Sequence, residues 1–549
     1  MKKLLNIILV VVFSTSILLL SSCEDMLSVD SNRYITVDQN TLSTSGDSVN
    51  SVLGILRCTQ KIGERYILFG EMRADLLDVT PYTPASIRQI NNFTVDSTNL
   101  YANPRDYYSI INNCNYFISR TSGANNPLTK ENTLVHAIRA WTYMQIAINW
   151  GKVHYCTKPL LTVDDTQQNF PVLDIAALAD SLIDDLQPLK GLSYPDYGDI
   201  YEKTGSTLKS TSLFIPIKLV LGDLYLWRGK TKADFENAAT CYAEYIDASV
   251  SRFGVNPIYL HWTYDNYLQK NYETASPVDS WSMFMGASKY PETFTFIQMA
   301  TTPSEGIVCP IPQNLSYFTA SNVINDLWDD QTYTLHVDAT SSAPAANYPI
   351  SGDLRKLGNR RSLLSINGSD SPVSTLYKLG ISNHILLYRL GLVMLRYAEA
   401  VNRAGYPATA FAVLKYGLKS TVLTDATKIP TSEQNANTSL VKIFTNAKFD
   451  TNIGVHARGC GNCEYSTNYK IAGTDSIAWV EEAICDELAL ETSFEGNRFG
   501  DLMRIASRRN DLDFLAKRVA AKHGGDSQLR GLLRNNKKNW YLPEFSNNK

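Results

Sequence analysis

Apolar residues recur with a helical period in four long stretches of this chain. In residues 133–150, Leu134, Ala137, Ile138, Trp141, Met144 and Ile148 fall on one face, the 3.6-residue spacing of an amphipathic helix. Residues 213–229 group Leu213, Ile217, Val220, Leu224 and Trp227, and Gly229 supplies a stop. A second period follows at once through Phe235, Ala239, Tyr242 and Ile246, so the two helices form a hairpin across a short Gly-Lys-Thr-Lys turn. Residues 384–404, "HILLYRLGLVMLRYAEAVNRA", read as one further helix, closed by Gly405 and Pro407 and followed by a short helix near 408–419. The last strong period runs over 479–495, stops at Gly496 and resumes in "NRFGDLMRIASRRND".

Residues 250–380 are different. They are rich in Ser, Thr, Asn, Pro and Gly, with scattered aromatics and no sustained period, and predict loops and short strands set into a helical scaffold. The expected fold is therefore mostly α: degenerate tetratricopeptide-type hairpins (about 133–150, 213–249, 384–419 and 479–509) with a large irregular half that carries recognition.

The N-terminus adds a processing signal. Lys2 and Lys3 precede an apolar run from Leu4 to Leu20, which reads as a signal peptide too short for a stable membrane span. Its ending, Leu20-Ser21-Ser22-Cys23, matches a bacterial lipobox, in which Cys23 becomes the acylated first residue. Each buried CH₂ of an acyl chain stabilises membrane attachment by about 0.8 kcal/mol, so several chains anchor firmly. The expected organisation is a signal peptide over 1–22, an acylated tether over 23–40 and a single domain over 41–549.

Composition changes the picture mainly by exclusion. With 549 residues, a net charge of -3, 44% hydrophobic and 19% charged residues, the chain is globular and shows no electrostatic footprint for nucleic acid. The 31 tyrosines and 8 tryptophans suit stacking on sugars or peptides as well as core filling. Cys460 and Cys463, with His456 nearby, offer three metal ligands where a structural zinc site needs four. No metal or other cofactor is expected. Elbow, phosphate-loop and HExxH motifs are absent from the sequence, and lone histidines such as His136 and His384 suit packing or exposure better than catalysis.

One charge pattern demands an explanation. Glu487 and Glu491 share the apolar face of the 479–495 helix with Val480 and Ile484, while Arg389, Arg396, Glu399 and Arg403 form a stripe on the 384–404 helix. Arg498 and Arg504 lie close in sequence. Two carboxylates can cleave a glycosidic bond, but carboxylates recurring at helical spacing beside arginines suit a structural clamp. Buried charges are tolerated when paired.

The segment "EEAICDELALETSFEGNRFGDLMRIASRR" (481–509) resembles the C-terminal hallmark of the SusD/RagB family, through Glu487, Leu488, Glu491, Glu495, Gly496, Arg498, Asp501, Leu502 and Arg504. "VMLRYAEAVNRAG" (393–405), "AIRAWTYMQIAINWGKVHYCTKPL" (137–160) and "NWYLPEF" (539–545) resemble further family stretches in the family's order. His154 stands where the family's turn usually has Pro, and Ala483-Ile484-Cys485 replaces an arginine-rich start. "ETSFEGNRF" and "LMRIASRR" look closer to the RagB branch. Glu24 and Asp25 resemble the acidic surface-display signal of Bacteroidetes lipoproteins.

The resemblance implies a non-catalytic, surface-exposed outer-membrane lipoprotein. It would sit as a lid on a SusC-like TonB-dependent transporter and deliver captured oligosaccharides or oligopeptides by hinge opening. A structural or adhesive surface lipoprotein is the alternative, with a glycoside hydrolase behind it. Candidate ligand contacts are Tyr101, Tyr107, Trp262, Trp281, Phe284 and Tyr290, together with Arg73 and Asp75 in "GEMRADLLD", which resembles a family stretch near the ligand cleft.

Overall fold

The computed structural model describes Leu42 and residues 45–543, apart from 124–125, 202–206, 254–261, 266–269, 274–291, 381–383, 437, 460–462 and parts of 338–373. Antiparallel helix pairs build the frame: Arg105–Thr121 against Thr129–Trp150, Ile217–Arg228 against Lys232–Phe253, Leu390–Arg403 against Pro407–Lys415, and Leu512–Lys522 against Ser527–Asn535. The strands form two-stranded antiparallel pairs among the described residues, most of them in the 260–390 region. No helix among the described residues is long and apolar enough to cross a membrane.

Two helix starts differ from the periodic reading for local reasons. The 213–229 pattern begins as a helix at Ile217, because Pro216 occupies the N-cap and Leu213 ends a preceding 3-10 turn; proline lacks the N–H that an interior helical position must donate. The Thr129–Trp150 helix begins four residues before the periodic stretch and ends at Gly151, whose φ of 77° is left-handed.

The largest departure is at 384–404. Residues His384–Arg389 form a fully buried strand paired with Thr293–Gln298, and the helix is Leu390–Arg403 alone. A short run of apolar residues fits a doubly buried strand and a buried helix equally well by periodicity. Here the partner strand, 90 residues upstream, decides. Arg389 consequently does not share a helical stripe with Arg396. It occupies the N-cap of the helix with extended backbone.

The 479–509 pattern divides into helices Ser476–Thr492 and Arg498–Arg509. Between them Phe494 and Gly496 adopt φ of 68° and 87°. The turn is pressed against the π-helical segment Leu68–Met72, so closely that a Cβ on Gly70 would lie 1.9 Å from the Gly496 carbonyl oxygen. The chain end is tied in as well. Trp540 is fully buried, and Leu542 donates its N–H to the Asn149 carbonyl at 2.9 Å.

Candidate functional site

A lattice of buried charges runs through the centre of the molecule. Glu491, fully buried on the Ser476–Thr492 helix, receives Arg389 Nη1 at 2.6 Å, Arg355 Nη1 at 2.9 Å and Arg458 Nη1 at 3.0 Å. Glu487, one turn earlier, receives Arg355 at 2.6 Å and His456 Nδ1 at 2.6 Å. Glu495 pairs with Lys378 at 2.6 Å and Arg389 at 2.9 Å, Glu292 with Arg458 at 2.7 Å, and Asp353 with Arg355 at 2.7 Å. Burial alone would raise the Glu491 carboxyl, but Arg389, Arg458 and Arg355 outweigh it and hold the group far below the usual carboxylate range. Glu491 is therefore ionised and saturated with donors, with no proton to give at any working pH.

Three further knots lock neighbouring elements. Arg504 straddles Glu399 and reaches Asp501 at 2.8 Å, while Arg403 bridges Glu399 and Glu481. Despite its burial, the arginines around Glu399 draw its carboxyl down to about 2. Arg396 meets Asp223 at 2.6 Å, and the hydroxyls of Tyr388 and Tyr242 donate to the same carboxylate. Arg498 grips Asp75 with two bonds of 2.8 Å. Bidentate guanidinium–carboxylate geometry supplies direction as well as charge.

These contacts relocate several sequence candidates. Arg73 and Asp75, 2% and 1% exposed, face the interior. Arg73 donates to the Phe69 and Trp540 carbonyls and the Asn149 amide oxygen, with its guanidinium over Phe499; Asp75 is spent on Arg498. Tyr107 is buried edge-on against Trp150. The polar atoms and rings of these three are taken up by contacts inside the fold. Tyr101 is half-buried and donates its hydroxyl to Glu64 at 3.1 Å. Trp262 lies on a short strand paired with Lys270–Glu273, while Trp281, Phe284 and Tyr290 lie outside the described residues. Cys23 and Cys460 also lie outside them, and Cys463 is buried with its Sγ 3.3 Å from the Lys415 carbonyl.

Two accessible features were not singled out from the sequence. Tyr82 is 74% exposed at the tip of a loop that is otherwise pinned. Thr80 and Thr83 bond the Tyr317 carbonyl, and Arg88 donates to the Pro81 and Thr83 carbonyls at 2.7 and 2.8 Å. The second feature is a groove of 230 Å³ between helix Ser45–Ile67 and strand Thr293–Gln298. Leu53, Leu56, Ile215 and Phe296 line it, with Arg57, Thr59, Gln60, Gln298 and Glu305 as its polar groups. Pro81 and Pro84 around Tyr82 were the available signal for a stiff turn; the groove brings together segments more than 200 residues apart and had none.

Residues 366–543 match the SusD family. SusD-like protein P38 of Formosa agariphila is 23% identical over 441 residues, covering 75% of this chain and 82% of the relative. Among solved structures, a SusD homolog from Bacteroides thetaiotaomicron superposes with a TM-score of 0.54 at 15% identity, covering 90% of this chain and 91% of that one. NanU of B. fragilis gives 0.50 at 17% identity over 88% and 92%. At such identities the structural likeness speaks for the fold, which is the mostly helical SusD-like one. The family match falls on the segment whose glutamates anchor the charge lattice, and together these likenesses support a SusD/RagB family protein.

Proposed function

We propose that this protein captures oligomeric nutrients at the cell surface and passes them to a SusC-like TonB-dependent transporter, without catalysing a reaction. The observation that carries the capture reading is Tyr82. An aromatic ring held out to solvent by a hydrogen-bonded loop is a stacking platform for a sugar face, and its rigidity lowers the ordering cost of binding. The non-catalytic part is supported by Glu487 and Glu491, the acid pair a glycosidase would need, being held by Arg355, Arg389, Arg458 and His456.

Titration calorimetry against a panel of oligosaccharides tests this directly. Tyr82→Ala should weaken the best glycan at least tenfold while leaving the melting temperature unchanged; undiminished affinity refutes the platform. The groove favours a second reading, an oligopeptide. Its aliphatic floor suits an aliphatic side chain, and the amide oxygens of Gln60 and Gln298, whose nitrogens donate to the Gln298 and Met299 carbonyls, suit the N–H groups of a peptide backbone. Tight peptide binding indifferent to Tyr82→Ala would select it. Surface anchoring through Cys23 belongs to the same proposal: Cys23→Ala should release the protein from membranes, and unaltered fractionation would overturn the anchor.

A further inference from the structure

A second cavity, of 170 Å³, borders the charge lattice at Glu487 and His456. Its wall is one face of helix Ser476–Thr492, where Trp479, Glu482, Asp486 and Glu487 stand at i, i+3, i+7 and i+8. Tyr469 and His456, stacked at 4.1 Å, close one side, and Gln331 closes another. Tyr469 and Trp479 lie 6.2 Å apart at 53°, giving an angled aromatic wall. Three carboxylates line this cavity, and neither lysine nor arginine is among its lining residues.

The carboxylates are not equivalent. Glu482 gives its two oxygens to Arg509 and Arg518, each at 2.5 Å, and Glu487 is shared between Arg355 and His456. Asp486 makes no hydrogen bond or ion pair with the described residues. The Gln331 amide N–H is committed to the Leu327 carbonyl at 2.8 Å, which leaves its oxygen to the cavity. What the site offers is thus rich in acceptors and in aromatic surface. A sugar hydroxyl wants both donors and acceptors, whereas guanidinium and ammonium groups are donors only and are attracted to ring faces.

We propose that this cavity binds an organic cation, the guanidinium or ammonium end of a basic side chain, with Asp486 as its counter-charge and Trp479 and Tyr469 as its aromatic contacts. The cation would restore to Asp486 the solvation that burial removes. The titration of Asp486 agrees. Burial pushes its carboxyl up to about 6, against the lowering influence of Arg498 and Arg518 from the next two helices and with Glu482 and Asp75 adding to the rise. Glu487, His456 and Tyr469 are the other ionisable groups lining the cavity. The site is separate from Tyr82 and from the aliphatic groove, and does not depend on the nutrient reading.

The test uses the full-length protein, N-acetyl-arginine methylamide as probe and its citrulline counterpart as an uncharged isostere, read by calorimetry and by tryptophan fluorescence. The arginine probe should bind at pH 7.5, with the citrulline probe at least tenfold weaker. Affinity for arginine should fall as pH drops from 7.5 through 6 to 5. Asp486→Asn should weaken arginine at least tenfold and abolish that pH dependence, without lowering the melting temperature, since the carboxylate holds no internal partner. Equal binding of the two probes overturns the proposal. So does an arginine affinity that is insensitive to pH, or a neutral sugar that outcompetes arginine. Glycan binding at Tyr82 should be the same in Asp486→Asn as in the parent, which separates this site from nutrient capture.

Discussion

Glu491→Gln probes the charge lattice at its centre. The substitution keeps shape and one acceptor oxygen but removes the negative charge between Arg355, Arg389 and Arg458. Removing one partner of a buried pair typically costs about 3–5 kcal/mol, because the remaining charge is left uncompensated. Here the cations are not stranded. Arg355 keeps Asp353 and Glu487, Arg389 keeps Glu495, and Arg458 keeps Glu292. The expected loss therefore lies at the low end, about 3 kcal/mol. Urea unfolding at pH 7 measures it as a lower midpoint at unchanged slope. The pH dependence gives an independent check. Because the folded-state carboxyl is depressed, its stabilisation is fully present above the unfolded-state value near 4.3 and is lost as pH falls below it. The gap between parent and variant should hold from pH 8 to 5 and narrow only in stronger acid. A variant as stable as the parent at pH 7, or a gap that grows on acidification, would refute the account of the lattice.

Gly496→Ala should be severely destabilised, since φ of 87° strains any L side chain and the new Cβ would lie 2.7 Å from the Tyr66 ring; loss of soluble protein, or a melting point lowered by several degrees, is the expected readout, and a neutral result would mean the turn can rearrange. Glu71, fully buried, accepts the N–H groups of Gly496 at 2.7 Å and Phe494 at 3.2 Å, yet burial pushes its carboxyl up to about 7. Folding then favours the protonated form, so the native state loses up to about 3 kcal/mol relative to the unfolded chain as pH rises from about 4.5 to 7. Glu71→Gln removes that penalty, and its melting temperature relative to the parent should climb over this interval and level off above it. A difference that stays flat with pH would show that Glu71 remains ionised in the fold.

Part of this architecture was readable from the chain because it is local. A helix with a strong 3.6-residue pattern, such as Thr129–Trp150, or a hairpin such as Ile217–Arg228 with Lys232–Phe253, declares itself through residues a few positions apart. The suspicious placement of Glu487 and Glu491 on an apolar face was visible for the same reason, as was the family resemblance of 481–509. What those glutamates bind was not. Arg355, Asp353 and Lys378 come from the irregular region, and Glu292 from the turn just before strand Thr293–Gln298; nothing in their own neighbourhoods marks them as lattice members.

Burial was the other quantity that local pattern did not carry. Arg73 and Asp75 sit in a stretch whose family resemblance points to a ligand cleft, yet Arg498 and Trp540, both more than 400 residues away, draw them inside. His384–Arg389 continues an apolar pattern into a helix, yet is a strand because Thr293–Gln298 offers it a ladder of hydrogen bonds. The sequence by itself determined the helical period and the charges that had to be reconciled. Tertiary structure alone decided which charges meet, which strand forms and which surfaces stay open at Tyr82 and Asp486, because each is set by contacts between segments that the chain order keeps far apart.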